Sequence, residues 1–194
     1  NQTAGNLSGD ITSDGDLVQF DLAGTQTGAS AVIADQMGDV TVGGDVITVQ
    51  GGDDGDEVQV NNNAILKVDG NILAQRVGMY ANAGETPILR MVGGGTITTY
   101  NTNNEIRMDG ADGEATATPL FGDITNPADA IVTLNASKSV QIWAGTMNIG
   151  SPTVDGQIIF IENDRNLEIG QDNASMGTLN LYNVGDPDNA VVNV

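Results

Sequence analysis

Along most of the chain, apolar and polar residues alternate in short runs, and each run closes on Gly, Asn or Asp. Side chains of an extended strand point to opposite faces in turn, so this is the pattern of half-buried strands joined by tight turns. Sixteen strands are predicted, at 18–22, 40–42, 46–49, 58–60, 65–68, 72–74, 88–92, 97–100, 106–108, 131–134, 140–142, 147–149, 158–161, 167–169, 179–181 and 191–194. No helical stripe of useful length competes with them; residues 28–37 alone suggest a helical turn or two. Residues 111–127 and 183–189 read as loops. The first loop marks a boundary between an N-terminal β region, 1–118, and a C-terminal one, 119–194, within one continuous domain.

The pattern also repeats. Val68-Asp69-Gly70-Asn71-Ile72 returns as Val154-Asp155-Gly156-Gln157-Ile158, and Gly95-Thr96-Ile97-Thr98-Thr99-Tyr100-Asn101 returns as Gly177-Thr178-Leu179-Asn180-Leu181-Tyr182-Asn183. This predicts a duplicated block, 64–108 and 150–194, with a weaker third echo at Gly145-Thr146-Met147-Asn148-Ile149. Repeated blocks of short strands suit a stack in which each unit covers the apolar face of the next. The chain has only seven aromatic residues, counting one Trp, three Tyr and three Phe. That is thin for a sandwich core but sufficient where aliphatic side chains align in columns. The expected fold is therefore all-β, a β-solenoid of short stacked strands. A β-sandwich or jelly roll with strand exchange between subunits is the alternative.

Composition narrows the function. Of 194 residues, 20 are Asp and 6 Glu against 4 Arg and 2 Lys, a net charge of −20. So few cations exclude a nucleic-acid binder, which needs clustered Lys and Arg, and disfavour an anionic membrane surface. Asp far exceeds Glu beside 20 Asn and 26 Gly, a turn-rich and helix-poor composition. With neither Cys nor His, zinc and copper chemistry and disulfides fall away. No run of apolar residues is long enough for a membrane-spanning helix, so no membrane insertion is expected. The first residue is Asn1 rather than Met, which suggests a secreted protein that has lost its signal peptide.

The segment Gly38-Asp39-Val40-Thr41-Val42-Gly43-Gly44-Asp45-Val46-Ile47-Thr48-Val49 resembles the Gly-Gly-Asp-Val-x-Val repeats of secreted filamentous-haemagglutinin-type β-solenoids. The Val-Asp-Gly-Asn-Ile and Gly-Thr-Leu-Asn-Leu phrases are similar to bacteriophage tail-fibre shafts. Both resemblances imply a rigid extracellular or virion rod, and neither supplies catalytic residues.

Clustered carboxylates are the main candidate chemistry. Gly51-Gly52-Asp53-Asp54-Gly55-Asp56-Glu57 resembles the Gly-Gly-x-Gly-x-Asp turns of calcium-binding toxin repeats, with Asp54 in the place of the third Gly. Asp109, Asp112 and Glu114 form a second cluster of hard oxygen ligands. Ca²⁺ bound by Asp53, Asp54, Asp56, Asp109, Asp112 or Glu114 is accordingly expected to stabilise the turns, against the plainer reading of solvated Asp-Gly turns.

Catalysis is disfavoured. Paired carboxylates can hydrolyse glycosides, but an anionic polysaccharide would need basic groups this chain lacks. Arg90 and Arg107 alternate with apolar residues, so they face solvent or pair with a nearby Asp. Trp143, Tyr80, Tyr100 and Tyr182 offer sugar-stacking rings, although a lone Trp beside Ile142 reads as core. Lys138 between Ser137 and Ser139 reads as a polar turn.

The segment Ala190, Val191, Val192, Asn193 and Val194 stays strand-like to its last residue, and an unpaired strand there would add to a neighbouring copy. Such a head-to-tail contact that does not close gives a filament. The sequence thus points to a non-enzymatic extracellular protein that polymerises with itself into a filament or surface fibre, with surface glycans as further partners. The alternatives are a virion tail-fibre or decoration protein and a polysaccharide-binding or cleaving module.

Overall fold

A computed structural model describes residues 11–13, 15, 17–20, 32–34, 38–49, 57–100, 105–110, 117–161, 166–170, 177–185 and 192–193. The chain winds through successive coils, each laying one strand on each of three sheets. The first coil holds β1 (Ile11–Ser13), β2 (Leu17–Phe20) and β3 (Val32–Ala34), and the second β4 (Val40–Val42), β5 (Val46–Val49) and β6 (Glu57–Asn61). Next come β7 (Ile65–Val68), β8 (Ile72–Ala74) and β9 (Arg76–Ala81), then β10 (Ile88–Met91), β11 (Gly95–Thr99) and β12 (Glu105–Gly110). The fifth coil is β13 (Leu120–Phe121), β14 (Ile131–Ala136) and β15 (Ser139–Ile142), and the sixth β16 (Thr146–Ile149), β17 (Gln157–Phe160) and β18 (Asn166–Ile169). A seventh contributes β19 (Thr178–Leu181) and β20 (Val192–Asn193).

The sheets run β1-β4-β7-β10-β13-β16-β19, β2-β5-β8-β11-β14-β17-β20 and β3-β6-β9-β12-β15-β18. Neighbouring strands pair in parallel throughout each sheet, for instance Leu66 with Leu89 and Ile158 with Val192. This is the three-sided β-solenoid, and the all-parallel pairing removes the sandwich and jelly-roll alternative, whose sheets are antiparallel.

Alternation builds the core as columns. Val40, Leu66, Leu89, Phe121 and Met147 stack along the first sheet and are fully buried. Val46, Ile72, Ile97, Leu134 and Ile158 do the same on the second, and Val58, Val77, Ile106 and Val140 on the third. Each buried aliphatic side chain in such a column contributes roughly 1.5–3 kcal/mol of transfer free energy.

Coil length varies because the corners do. Thr86 lies 23 residues beyond the Asn63 it sits against, Ile65 lies 26 beyond Asp39, and Asn180 lies 32 beyond Asn148. Asp and Asn side chains at the corners accept hydrogen bonds from the backbone of the next coil. Asp39 Oδ1 takes Ile65 N at 2.8 Å, Asp45 Oδ1 takes Asn71 N at 2.7 Å, and Asn71 Oδ1 takes Thr96 N at 3.0 Å. Asp155 Oδ1 likewise accepts from Val184 N. These latches satisfy strand-end amides that have no ladder partner, so part of the Asp and Asn excess binds backbone rather than cations. Gly70 is required beside one of them, because a Cβ there would lie 2.4 Å from Asp45 Oδ1.

All sixteen expected strands correspond to observed ones, and β1, β3, β9 and β13 are additional. β3 corrects the helical turn expected over 28–37: Val32 and Ile33 are β-branched and pair in parallel with Val58 and Gln59. β13 lies inside the expected loop 111–127 and joins β10 to β16, so the first sheet crosses that boundary without a break. The repeated phrases divide. Val68–Ile72 and Val154–Ile158 both turn the corner from the first sheet to the second, whereas β11 lies in the second sheet and β19 in the first. The structural repeat is therefore the single coil.

Candidate functional site

The first and third faces carry ion pairs. On the first, Arg90 reaches an insertion that follows β13. There a 3-10 turn (Pro127–Asp129), capped by the Asn126 side chain, presents Asp129, which is only 2% exposed. Arg90 Nε donates to Asp129 Oδ2 at 2.8 Å, Arg90 Nη2 also donates to it, and Gly93 N donates to Oδ1 at 2.9 Å. Burial works to raise the Asp129 carboxyl, but the Gly93 N–H and Arg90 outweigh it and hold the group below its ordinary range. This cluster clamps the insertion to the preceding coil.

The outward face of the third sheet is different. Its alternating positions stack as rows across coils: Glu57 beside Arg76, then Gln59, Gly78, Arg107, Gln141 and Glu168, then Asn61, Tyr80 and Asp109. Half of the four arginines and the single tryptophan meet here. The Arg107 guanidinium lies 4.1 Å over the Trp143 ring, with Nη2 at 2.5 Å from Asp109 Oδ2 and Nη1 at 3.6 Å from Glu105 Oε1. The stacking contributes about 0.5–2 kcal/mol. Burial would lower the Arg107 pKa, yet Asp109 overrides this and raises it. Trp143 Nε1 donates to Glu168 Oε2 at 3.2 Å.

Glu57 anchors the other end of the face. Its carboxylate accepts from Tyr80 Oη at 2.7 Å and from Gln59 Nε2 at 2.7 Å, with Arg76 Nη1 at 4.0 Å. Burial, then the Glu57 charge, pushes the Tyr80 hydroxyl well above its ordinary value, so Tyr80 acts as a fixed donor and not as a base. Gly78 lies between them in the sheet and makes the contact possible: a Cβ there would sit 2.2 Å from Glu57 Oε1 and 2.6 Å from the Tyr80 ring.

Beside this network a shallow cleft of about 250 Å³ opens at the strand ends, lined by Asn61, Asn62, Tyr80, Ala81, Asn82, Asp109 and Gly110. A larger hollow of about 400 Å³ on the second face is lined by Val132, Thr133, Asp155, Gly156, Gln157 and Asn183, and three of these side chains are already engaged. Gln157 Nε2 donates to Thr133 Oγ1 at 3.0 Å, and Asp155 holds Val184 N.

Of the carboxylates expected to bind calcium, only Asp109 falls among the described residues, and it is committed to Arg107. Asp53, Asp54, Asp56, Asp112 and Glu114 lie outside them. Among the described residues no three acidic side chains converge as a metal site. In the C-terminal segment, Val192 and Asn193 pair with Ile158 and Ile159 on one side only, as the last strand of their own sheet. Ala190, Val191 and Val194 lie outside the described residues. Trp143 corrects the expectation of a core ring: it is half-buried on the outward face, held by Arg107 and Glu168. Glu57 and Gly78 were missed, because only the cross-coil register brings Glu57, Gly78 and Tyr80 together.

Searches for similar proteins found no matching family model, no matching characterised protein and no matching solved structure.

Proposed function

We propose that the protein is an extracellular structural element, a rigid β-solenoid rod that builds a filament or surface fibre by stacking copies end to end. The observation that carries this reading is the shared direction of all three sheets. The described coils begin with the edges of β1, β2 and β3 and end with those of β18, β19 and β20, each with one strand neighbour. Because every pairing is parallel, one end presents three edges in the order and sense that the other end accepts, and a second copy extends all three sheets at once. At the downstream end Ile169 is 51% exposed, and Leu167, Leu179 and Leu181 are only partly covered, so apolar columns continue to that surface. The scarcity of Lys and Arg argues against a partner nucleic acid, and the net charge of −20 it leaves is a repulsion that salt must screen before copies stack.

Negative-stain imaging of purified protein across a salt series tests this. Fibres that lengthen as salt screens the net charge of −20 are expected. Monodisperse monomers at high concentration and high salt reject it. Removing residues 190–194 deletes β20, one of the three downstream edges, and is expected to shorten or abolish the fibres.

A further inference from the structure

We propose that the cleft at the strand ends of the third face binds a neutral, hydroxyl-rich ligand, one ring of a saccharide chain. Three observations carry this, independently of how copies stack.

The lining is held in place before any ligand arrives. The Tyr80 ring is fixed by its hydroxyl on Glu57 and by the slot at Gly78, and Asp109 by Arg107. Asn82 is fixed on Glu85 Oε2 through N at 2.8 Å and Nδ2 at 3.0 Å, and it also donates to Asn62 Oδ1 at 3.2 Å. A site whose side chains are already ordered loses little entropy on binding.

One wall carries an unspent acceptor. Asn61 Nδ2 donates to Gln59 Oε1 at 3.4 Å, but Asn61 Oδ1 is buried with no partner. A buried carbonyl left without a donor is destabilising, and a ligand that supplies one gains by it. Asn61 lines the cleft, so a hydroxyl seated there brings a donor to the residue that carries this acceptor.

Charge and size then select the ligand. The face holds Glu57, Glu105, Asp109 and Glu168 against Arg76 and Arg107, so an anionic chain is repelled. A bare cation would find Asp109 already paired. Sugar hydroxyls both donate and accept, which matches amides beside a carboxylate, and a sugar's C–H face packs on a tyrosine ring. At about 250 Å³ the cleft is smaller than the roughly 300–1,000 Å³ of sites for drug-sized molecules, room for a single ring.

The single tryptophan provides the readout, because Trp143 stacks on the Arg107 that holds Asp109. The full chain is titrated with neutral hexamers (α- and β-linked glucose, β-linked mannose and β-linked galactose), with free glucose and with hexagalacturonate. Trp143 emission is followed, with calorimetry alongside. A saturable change with at least one neutral hexamer is expected, with little or none from hexagalacturonate. Asn61→Ala and Asn82→Ala are each expected to weaken binding tenfold or more. Gln141→Ala, on the same face outside the cleft, is expected to leave it unchanged. Thermal melts confirm that the variants fold, and the exposed position of Asn82 keeps the test open if Asn61→Ala does not. No saturable binding by any neutral hexamer, binding confined to hexagalacturonate, or binding unaffected by both Asn variants overturns the proposal. Free glucose that binds as tightly as the hexamers assigns the cleft to a free sugar and overturns the saccharide-chain assignment.

Discussion

Asn180 donates from Nδ2 to Asn148 Oδ1 at 2.8 Å across two successive coils, and Asn148 Nδ2 donates in turn to Gly122 O at 2.9 Å. The two residues sit at matching positions of β16 and β19, where Thr146, Met147, Asn148 and Ile149 pair with Thr178, Leu179, Asn180 and Leu181. The amide ladder thus ties three coils together. Replacing Asn148, which is 4% exposed, with Leu strands both the Gly122 carbonyl and the Asn180 amide. The expected cost is about 2–3 kcal/mol in chemical denaturation. Asn180→Leu costs less, and the double variant loses about 1 kcal/mol less than the sum. Strict additivity would show that the ladder is not cooperative.

The same pairing shows how much was legible in the sequence. The faint echo Gly145–Ile149 of Gly177–Leu181 marks true coil neighbours, whereas the stronger likeness of 95–101 to 177–183 joins two different faces. A β-solenoid places similar Gly-Thr-apolar phrases on every face, so likeness reports the strand environment and not the register. Period-two alternation located sixteen of the twenty described strands. It missed β1 and β3, three residues each, the latter with Val32 and Ile33 adjacent rather than alternating, β13, which is two residues between Pro119 and Gly122, and β9, where Gly78 and Ala81 dilute the apolar pattern. The third-face network was beyond reach, because Glu57 and Tyr80 are 23 residues apart and meet only through coil length.

Asp129→Asn removes the charge that Arg90 and the Gly93 N–H hold, and is expected to destabilise by about 2–3 kcal/mol at neutral pH. The Gly93 N–H and the Arg90 guanidinium hold the Asp129 carboxyl below its ordinary range in the folded protein. Its contribution is therefore fully present above the unfolded value and is lost as pH falls through the folded one. Stability measured against pH should show the wild type and the variant converging only as pH falls below the ordinary carboxylate range. A constant gap down to the lowest pH would contradict this assignment.

Gly78→Ala forces a Cβ into the space shared by Glu57 and Tyr80. A loss of about 1–3 kcal/mol is expected. Combining it with Glu57→Ala, which vacates the nearest atom, should cost less than the sum of the two single changes. Melting temperatures of the four proteins check this, and equal additive losses would place the strain elsewhere.

Inward and outward leucines should differ sharply. Leu134 is fully buried in the second-sheet column, whereas Leu73 is 37% exposed on the outer side. Leu134→Ala is expected to cost about 3–4 kcal/mol and Leu73→Ala under about 1 kcal/mol. Comparable losses at both sites would invalidate the assignment of faces.

X-ray diffraction from aligned fibres of the purified protein tests the stacked-coil account most directly. Strands lying across the rod and continuing from copy to copy should give a strong meridional reflection near 4.8 Å. Fibres whose strand spacing falls on the equator, or a protein that yields no ordered fibre under any salt condition, would contradict it.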